Sequence, residues 1–388
     1  MSKLTRYLYE ADEVEKSFIL SMIYKVDIKE CYYWIFELYY SKIDVFPLIW
    51  QLYLDYYAVL NPDMENYIMK RQKKWINDYS INHICYIIKN LHVLSLNTDV
   101  FILRQLCKQP ELYVSKINET KDRQPTWTRI VNKKHIKLLT SIKKRQYNNI
   151  CYYIKELLTT DDGELLYKDI MKYYAFERGI MFKYNENKNE KTKEFLNLIE
   201  KTWETKIKYN CLHYLLAIIC QMNVSDNNIH EQRLYIRPNK NDVDEIEKRY
   251  EENIIPCYRT LLKKRCYNID EKIGMFLDIP RFTFMNQDVY KKEILEHWEY
   301  YASKTPFWRE IIEQYNGLID NENKSIIFND DNSSERFYSL YGFEFDEQNQ
   351  DIQNMSLKVI EVNDFKTIND HLFKNKIIDY PDDFKLFK

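Results

Sequence analysis

The sequence predicts a mainly α protein, an antiparallel helical array or set of helical bundles with little strand. Three observations carry this. Apolar residues recur at three- and four-residue intervals along most of the chain, as one face of a helix requires. Carboxylate or threonine residues stand just ahead of these stripes, where they cap or complement a helix start. Only five glycines and nine prolines occur among 388 residues, too few for the tight hairpins of a sandwich or barrel.

The first 110 residues repeat one grammar. Asp12 precedes Phe18, Ile19, Met22 and Ile23; Asp27 precedes Cys31, Trp34, Ile35 and Leu38; Asp44 precedes Leu48, Ile49, Leu52, Tyr53 and Tyr56. The run "NPD" at 61 to 63 stops one helix and starts the next. The stretches "ECYYWIFEL" (30 to 38), "ICYIIKNL" (84 to 91) and "ICYYIKELL" (150 to 158) each open an amphipathic helix with Cys-Tyr, a faint internal echo at unequal spacing. "QPELYVSKINETKDRQPTW" reads as a connector, and helices resume near 132. The apolar "NCLHYLLAIICQMN" at 210 to 223 reads as a core helix, and "DNNIHEQRLYIRP" at 226 to 238 as a loop with one extended piece.

The aromatic stretch "EILEHWEYYASKTPFWREIIEQYNG", 293 to 317, resolves into a helical hairpin. Ile294, Leu295, Trp298, Tyr301 and Ala302 form one stripe, and Trp308, Ile311, Ile312 and Tyr315 a second. Thr305 and Pro306 suit the N-cap and first position of the second helix. The tryptophans lie on the inward stripes, so the stretch is read as packing. Beyond Gly317, residues 318 to 351 carry nine acidic and two basic residues and read as irregular chain with a helix near 333 to 341. The expected divisions are an N-terminal array (1–115), a second helical block (116–318) and an acidic, partly irregular tail (319–388).

Charge and motif content exclude several function classes. The 57 basic and 59 acidic residues nearly cancel, which disfavours a histone-like coat. No apolar run reaches the roughly 18 residues of a membrane span, and the first residues lack a signal-peptide pattern, so no membrane partner is expected. Phosphate-cradling loops, dinucleotide fingerprints and zinc-protease or hydrolase motifs are absent. The eight cysteines form no CxxC and read as buried thiols; the pairs His83/Cys85 and Cys211/His213 are two apart and diverge on a helix. No catalytic residue, metal site or cofactor is expected.

One segment carries an electrostatic signal. "KDRQPTWTRIVNKKHIKLLTSIKKRQ", 121 to 146, holds nine Lys or Arg against one Asp. Arg129, Lys133, Lys134, Lys137, Lys143, Lys144 and Arg145, with Trp127 among them, are the candidate nucleic-acid-binding residues, each cation able to contact a phosphate. The alternative is the solvated face of a helix whose Ile136, Leu139 and Ile142 point inward, or a contact with acidic protein surface.

Two resemblances add a setting. "LNTDVFILR" (96 to 104), "HWEYYASKTPFWREIIEQYNG" (297 to 317) and "FYSLYGFEFDEQ" (337 to 348) resemble segments of an uncharacterised protein family of large nucleocytoplasmic DNA viruses, the mimivirus-like giants. That resemblance implies a viral protein of the virion or of the viral factory in the host cytoplasm, with other viral proteins as partners and no assigned chemistry. Residues 21 to 63 with "LHVLSLNTDVF" are similar to the helical C-terminal region of clamp-loader-related AAA+ proteins, but no nucleotide-binding module accompanies them. The expectation is a non-catalytic interaction or scaffold protein; the alternative is a replication or transcription factor binding DNA or RNA through 121 to 146.

Overall fold

The structure is a computed structural model. It describes residues 3–108 (Tyr24 apart), 126–160, 163–177, 200, 203, 211–223, 236–251, 267–268, 293–342 (Leu295 apart) and 360–361. Among these the fold is mainly α. Six helices occupy the N-terminal part: α1 (Ala11–Ile23), α2 (Ile28–Tyr40), α3 (Phe46–Tyr56), α4 (Met64–Asp78), α5 (Ile81–Val93) and α6 (Asp99–Lys108). After two 3-10 turns, Thr126–Arg129 and Lys133–His135, come α7 (Ile136–Lys143), α8 (Tyr147–Thr160), α9 (Gly163–Glu177), α10 (Cys211–Asn223) and α11 (Lys240–Glu251).

The capping expected from sequence is visible at atomic detail. Asp27 caps α2 by accepting from the Lys29 N–H, and Asp44 accepts from the Phe46 N–H ahead of α3, where Pro47 sits in the first turn. With few glycines available, the chain puts other residues in the left-handed region at bends, among them Lys42, Tyr79 and Arg145.

One apolar cluster runs from Tyr9 to Ile246 and takes in residues of α1 to α11, with Trp34, Tyr32, Phe36, Tyr53, Tyr56 and Tyr57 fully enclosed. It is continuous across the division expected near residue 115, a position outside the described residues. Inside it Arg104 of α6 donates to Asp55 of α3 through Nε (3.1 Å) and Nη2 (2.8 Å). His213 of α10 stands 4.0 Å from the same carboxylate. Lys25, in a left-handed bend after α1, donates from its ammonium to the carbonyls of Leu91, His92 and Leu94, satisfying the end of α5.

A second cluster is built from α12 (Trp298–Ala302), α13 (Pro306–Gln314) and α14 (Asp331–Tyr341). Trp298 and Trp308 meet edge to face at 5.6 Å, and Phe337 stacks on Trp298. The aromatic hairpin is therefore packing, as its stripes indicate. Thr305 occupies the N-cap of α13, but its hydroxyl donates to the carbonyl of Leu4 instead of serving its own helix. Trp308 Nε1 donates to the Thr5 carbonyl at 2.9 Å, while the N–H groups of Arg6 and Tyr7 reach Ser41 Oγ and Glu37 Oε1 of the first cluster. Residues 4 to 7 thus strap the two cores together.

Residues 318 to 328, expected to be irregular, form with Gly317 an antiparallel hairpin instead. With β1 (Tyr267–Asn268) counted first, these are β2 (Gly317–Asp320) and β3 (Ser325–Phe328), paired Leu318 to Ile327 and Ile319 to Ile326. Short apolar runs, Leu318–Ile319 and Ile326–Phe328, flank a polar turn in which Asp320 accepts from the Glu322 and Asn323 N–H groups, and that pattern outweighs the acidity. The helix expected near 333 to 341 is α14, capped by Asp330. β1 and β4 (Ile360–Glu361) form a two-residue parallel pair. Most of the piece at 226 to 238, all but its last three residues, and most of the chain beyond 342 lie outside the described residues. No helix among the described residues is long and apolar enough to cross a membrane.

Candidate nucleic-acid interface

The basic segment is built on α7 and the two 3-10 turns ahead of it. Leu138, Leu139 and Ile142 are buried and Ile136 is half-buried, which fixes the inward face of α7 and turns Lys137, Lys143 and Lys144 outward. Arg129, Lys133, Lys134 and Arg145 are exposed as well. Seven of the eight candidate residues therefore lie at the surface within 17 positions of sequence. Lys137 and Lys144, seven apart, share one side of the helix, and Lys133 and Lys134 continue the row at its start. Arg145 closes it with a left-handed backbone, φ 52°.

The eighth candidate behaves differently. Trp127 is 2% exposed and its ring meets Tyr173 of α9 at 5.1 Å. From that position it cannot stack on a base, and it anchors the turn beneath the cations.

What holds the row in place is a buried carboxylate that no sequence motif announces. Asp169 Oδ2 of α9 accepts from the Asn132 N–H at 2.7 Å and from His135 Nδ1 at 2.8 Å, and Oδ1 accepts from Lys172 at 3.2 Å. An ionised carboxylate is acceptor only, so the His135 proton sits on Nδ1. Burial pushes the Asp169 carboxyl up, but the hydrogen bonds from His135 and the Asn132 N–H, with the Lys172 charge, outweigh it and hold the group below its ordinary range. Asn132 in turn caps the turn by accepting from the Lys134 N–H at 3.1 Å. Nothing in the sequence points to Asp169, 34 residues away from His135.

The placement of the cations discriminates between roles. Lys143, Lys144 and Arg145 stand at the C-terminal end of α7, where the helix dipole welcomes positive charge. Lys133, Lys134 and Lys137 cluster at its start, where the dipole opposes them, so helix stability does not explain their presence. Lys143 pairs with Glu177 at 3.7 Å with both side chains about half exposed, a contact of little energetic weight that a phosphate can displace. Arg129, Lys133, Lys137 and Arg145 make no ion pair among the described residues.

Other chemistry has weaker support. Among the described residues no three His, Cys, Asp or Glu side chains converge as a metal site would require. Burial raises the thiols of Cys31 and Cys211 to about 11, which keeps them protonated and poor as nucleophiles or ligands. The Asp55–Arg104 ion pair is enclosed in the core, each charge satisfied by the other, and the half-buried His213 stands 4.0 Å from the carboxylate. Comparison with protein-family models, with curated proteins and with solved structures gives no match, so the reading of this surface rests on its own geometry.

Proposed function

We propose that the chain is a non-catalytic interaction protein that binds nucleic-acid phosphate through the row from Arg129 to Arg145. The observation that supports this reading is seven exposed cations mounted on a fixed platform, three of them where a helix start disfavours positive charge. Because Trp127 is buried below the row, recognition there works through the backbone of the nucleic acid and carries no base readout. The resemblance to the giant-virus family supplies the setting: a viral replication or transcription factor in the cytoplasmic factory, or a genome-associated protein of the virion.

The test is fluorescence anisotropy of labelled duplexes of unrelated sequence against the full chain. Under this reading Lys143→Ala/Lys144→Ala/Arg145→Ala weakens all duplexes alike, and equal affinity of variant and parent would sink it. A second reading, a scaffold that joins other viral proteins, is favoured by Leu318 and Ile327. These cross-strand partners lie on the outward face of the β2–β3 hairpin and are 62% and 54% exposed. Assembly of that kind persists at high salt and is lost in Leu318→Ser/Ile327→Ser, whereas phosphate binding is screened.

A further inference from the structure

A second cationic surface stands on α4, remote in sequence from the first. Asn66, Lys70, Lys73, Lys74 and Asn77, spaced by four, three, one and three residues, form its exposed outer stripe. Lys70, Lys73 and Lys74 make no ion pair among the described residues. Beside them Arg71 sits over the Tyr86 ring at 3.9 Å, so its charge is held in place. The neighbouring helix α5 contains no Asp or Glu and adds Lys89. Asp78, the acid at the end of α4, is occupied by His83 Nε2 at 2.9 Å and by the Ser80 N–H.

At the tip of this helix an aromatic residue occupies a position that favours glycine. Tyr79 is the C-cap of α4, with φ 50° and ψ 29°, a left-handed position that favours glycine or asparagine. Its ring is 64% exposed, with Ile76 beside it at 53%. The ring is nevertheless positioned: it meets Trp75 at 5.2 Å, Trp75 meets Phe46 of the core at 4.9 Å, and the Tyr39 hydroxyl donates to the Tyr79 carbonyl. Among the left-handed non-glycine positions described, Tyr79 is the aromatic one. A fixed, exposed ring at the end of a lysine stripe, in a backbone conformation that disfavours a side chain, is what a base-stacking platform needs.

We propose that α4 binds a single nucleic-acid strand, Lys70, Lys73 and Lys74 contacting successive phosphates while the Tyr79 ring stacks on an unpaired base. This surface has the exposed ring that the row at 129 to 145 lacks. The two therefore divide the work, one taking duplex backbone and the other unstacked bases.

The backbone at Tyr79 makes the test selective. Glycine relieves the left-handed strain, so Tyr79→Gly is expected to melt at the same temperature as the parent or higher while losing the stacking contact. Anisotropy with labelled oligothymidylate and oligouridylate of about 20 nucleotides, long enough for a site of this kind, should show a loss of affinity of roughly tenfold on whichever strand binds. Tyr79→Trp should restore it, Lys70→Ala/Lys73→Ala/Lys74→Ala should lose it, and a duplex of equal length should bind all four proteins alike. Repeating the comparison in the Lys143→Ala/Lys144→Ala/Arg145→Ala background keeps it independent of the first surface. Single-strand binding by Tyr79→Gly as tight as that of the parent, or no single-strand binding by the parent at low salt, would overturn the proposal.

Discussion

Replacing Arg104 by methionine is expected to destabilise the N-terminal core by about 3–5 kcal/mol. Methionine keeps most of the aliphatic stem and volume, so little of this comes from a cavity. The cost is the partner left behind: Asp55 is 1% exposed and loses two charge-assisted hydrogen bonds, of 3.1 and 2.8 Å. The basic side chains that remain near it, His213 at 4.0 Å and Lys16 at the margin of the core, do not replace a bidentate guanidinium. Asp55→Leu/Arg104→Met removes the orphan along with its partner, and the double variant should lie within about 1 kcal/mol of the parent. Urea unfolding of the parent, Arg104→Met, Asp55→Leu and the double variant, followed by tryptophan fluorescence, gives the coupling energy directly. A cost below about 1 kcal/mol for Arg104→Met, or a double variant whose loss equals the sum of the two singles, would refute the idea that a buried ion pair ties α3 to α6.

Two further changes probe other parts of the fold. Burial raises Asp99, at the start of α6, from 3.8 to about 6, against the lowering effect of the hydrogen bond from Asn97. Between those two pH values the unfolded chain releases this proton while the folded one keeps it, so stability falls as pH rises through the window, by at most about 3 kcal/mol. Asp99→Asn should therefore be more stable than the parent at pH 7 and equal to it near pH 3.5, whereas parallel melting profiles across pH would count against the assignment. Gly317→Ala would place a Cβ 2.7 Å from Ile312 Cγ2 and 2.9 Å from Ile326 Cγ2. It should cost about 1–3 kcal/mol by overpacking, and an unchanged melting temperature would mean that β2 is not seated on α13.

The helices are legible because their signals are local. The stripes of α2 and α3 and the caps at Asp27 and Asp44 lie within one or two turns of sequence. Thr305 shows where local reading stops: its position at the N-cap is right, but its hydroxyl is drawn to a carbonyl 301 residues away. The β2–β3 hairpin is masked by composition, since a stretch rich in Asp, Glu and Asn resembles solvated chain even when its short apolar runs can pair. At the cationic surface the charges are read directly, but burial of Trp127 is not, because it depends on Tyr173. Asp169 is invisible for the same reason. The α4 stripe escapes a charge count because Glu65 and Asp78 dilute it, although Glu65 lies on another face and Asp78 is held by His83 and the Ser80 N–H.

The salt dependence of duplex binding by the full chain tests the central claim most directly. Each phosphate contact contributes about −0.9 to the slope of log affinity against log salt, so the seven exposed cations set a limit near −6, and Lys143→Ala/Lys144→Ala/Arg145→Ala should flatten the slope by up to about 2.7. A steep parent slope that the variant flattens is the expected result. No duplex binding at low salt, or a slope that the variant leaves unchanged, would contradict the assignment of this surface to nucleic acid.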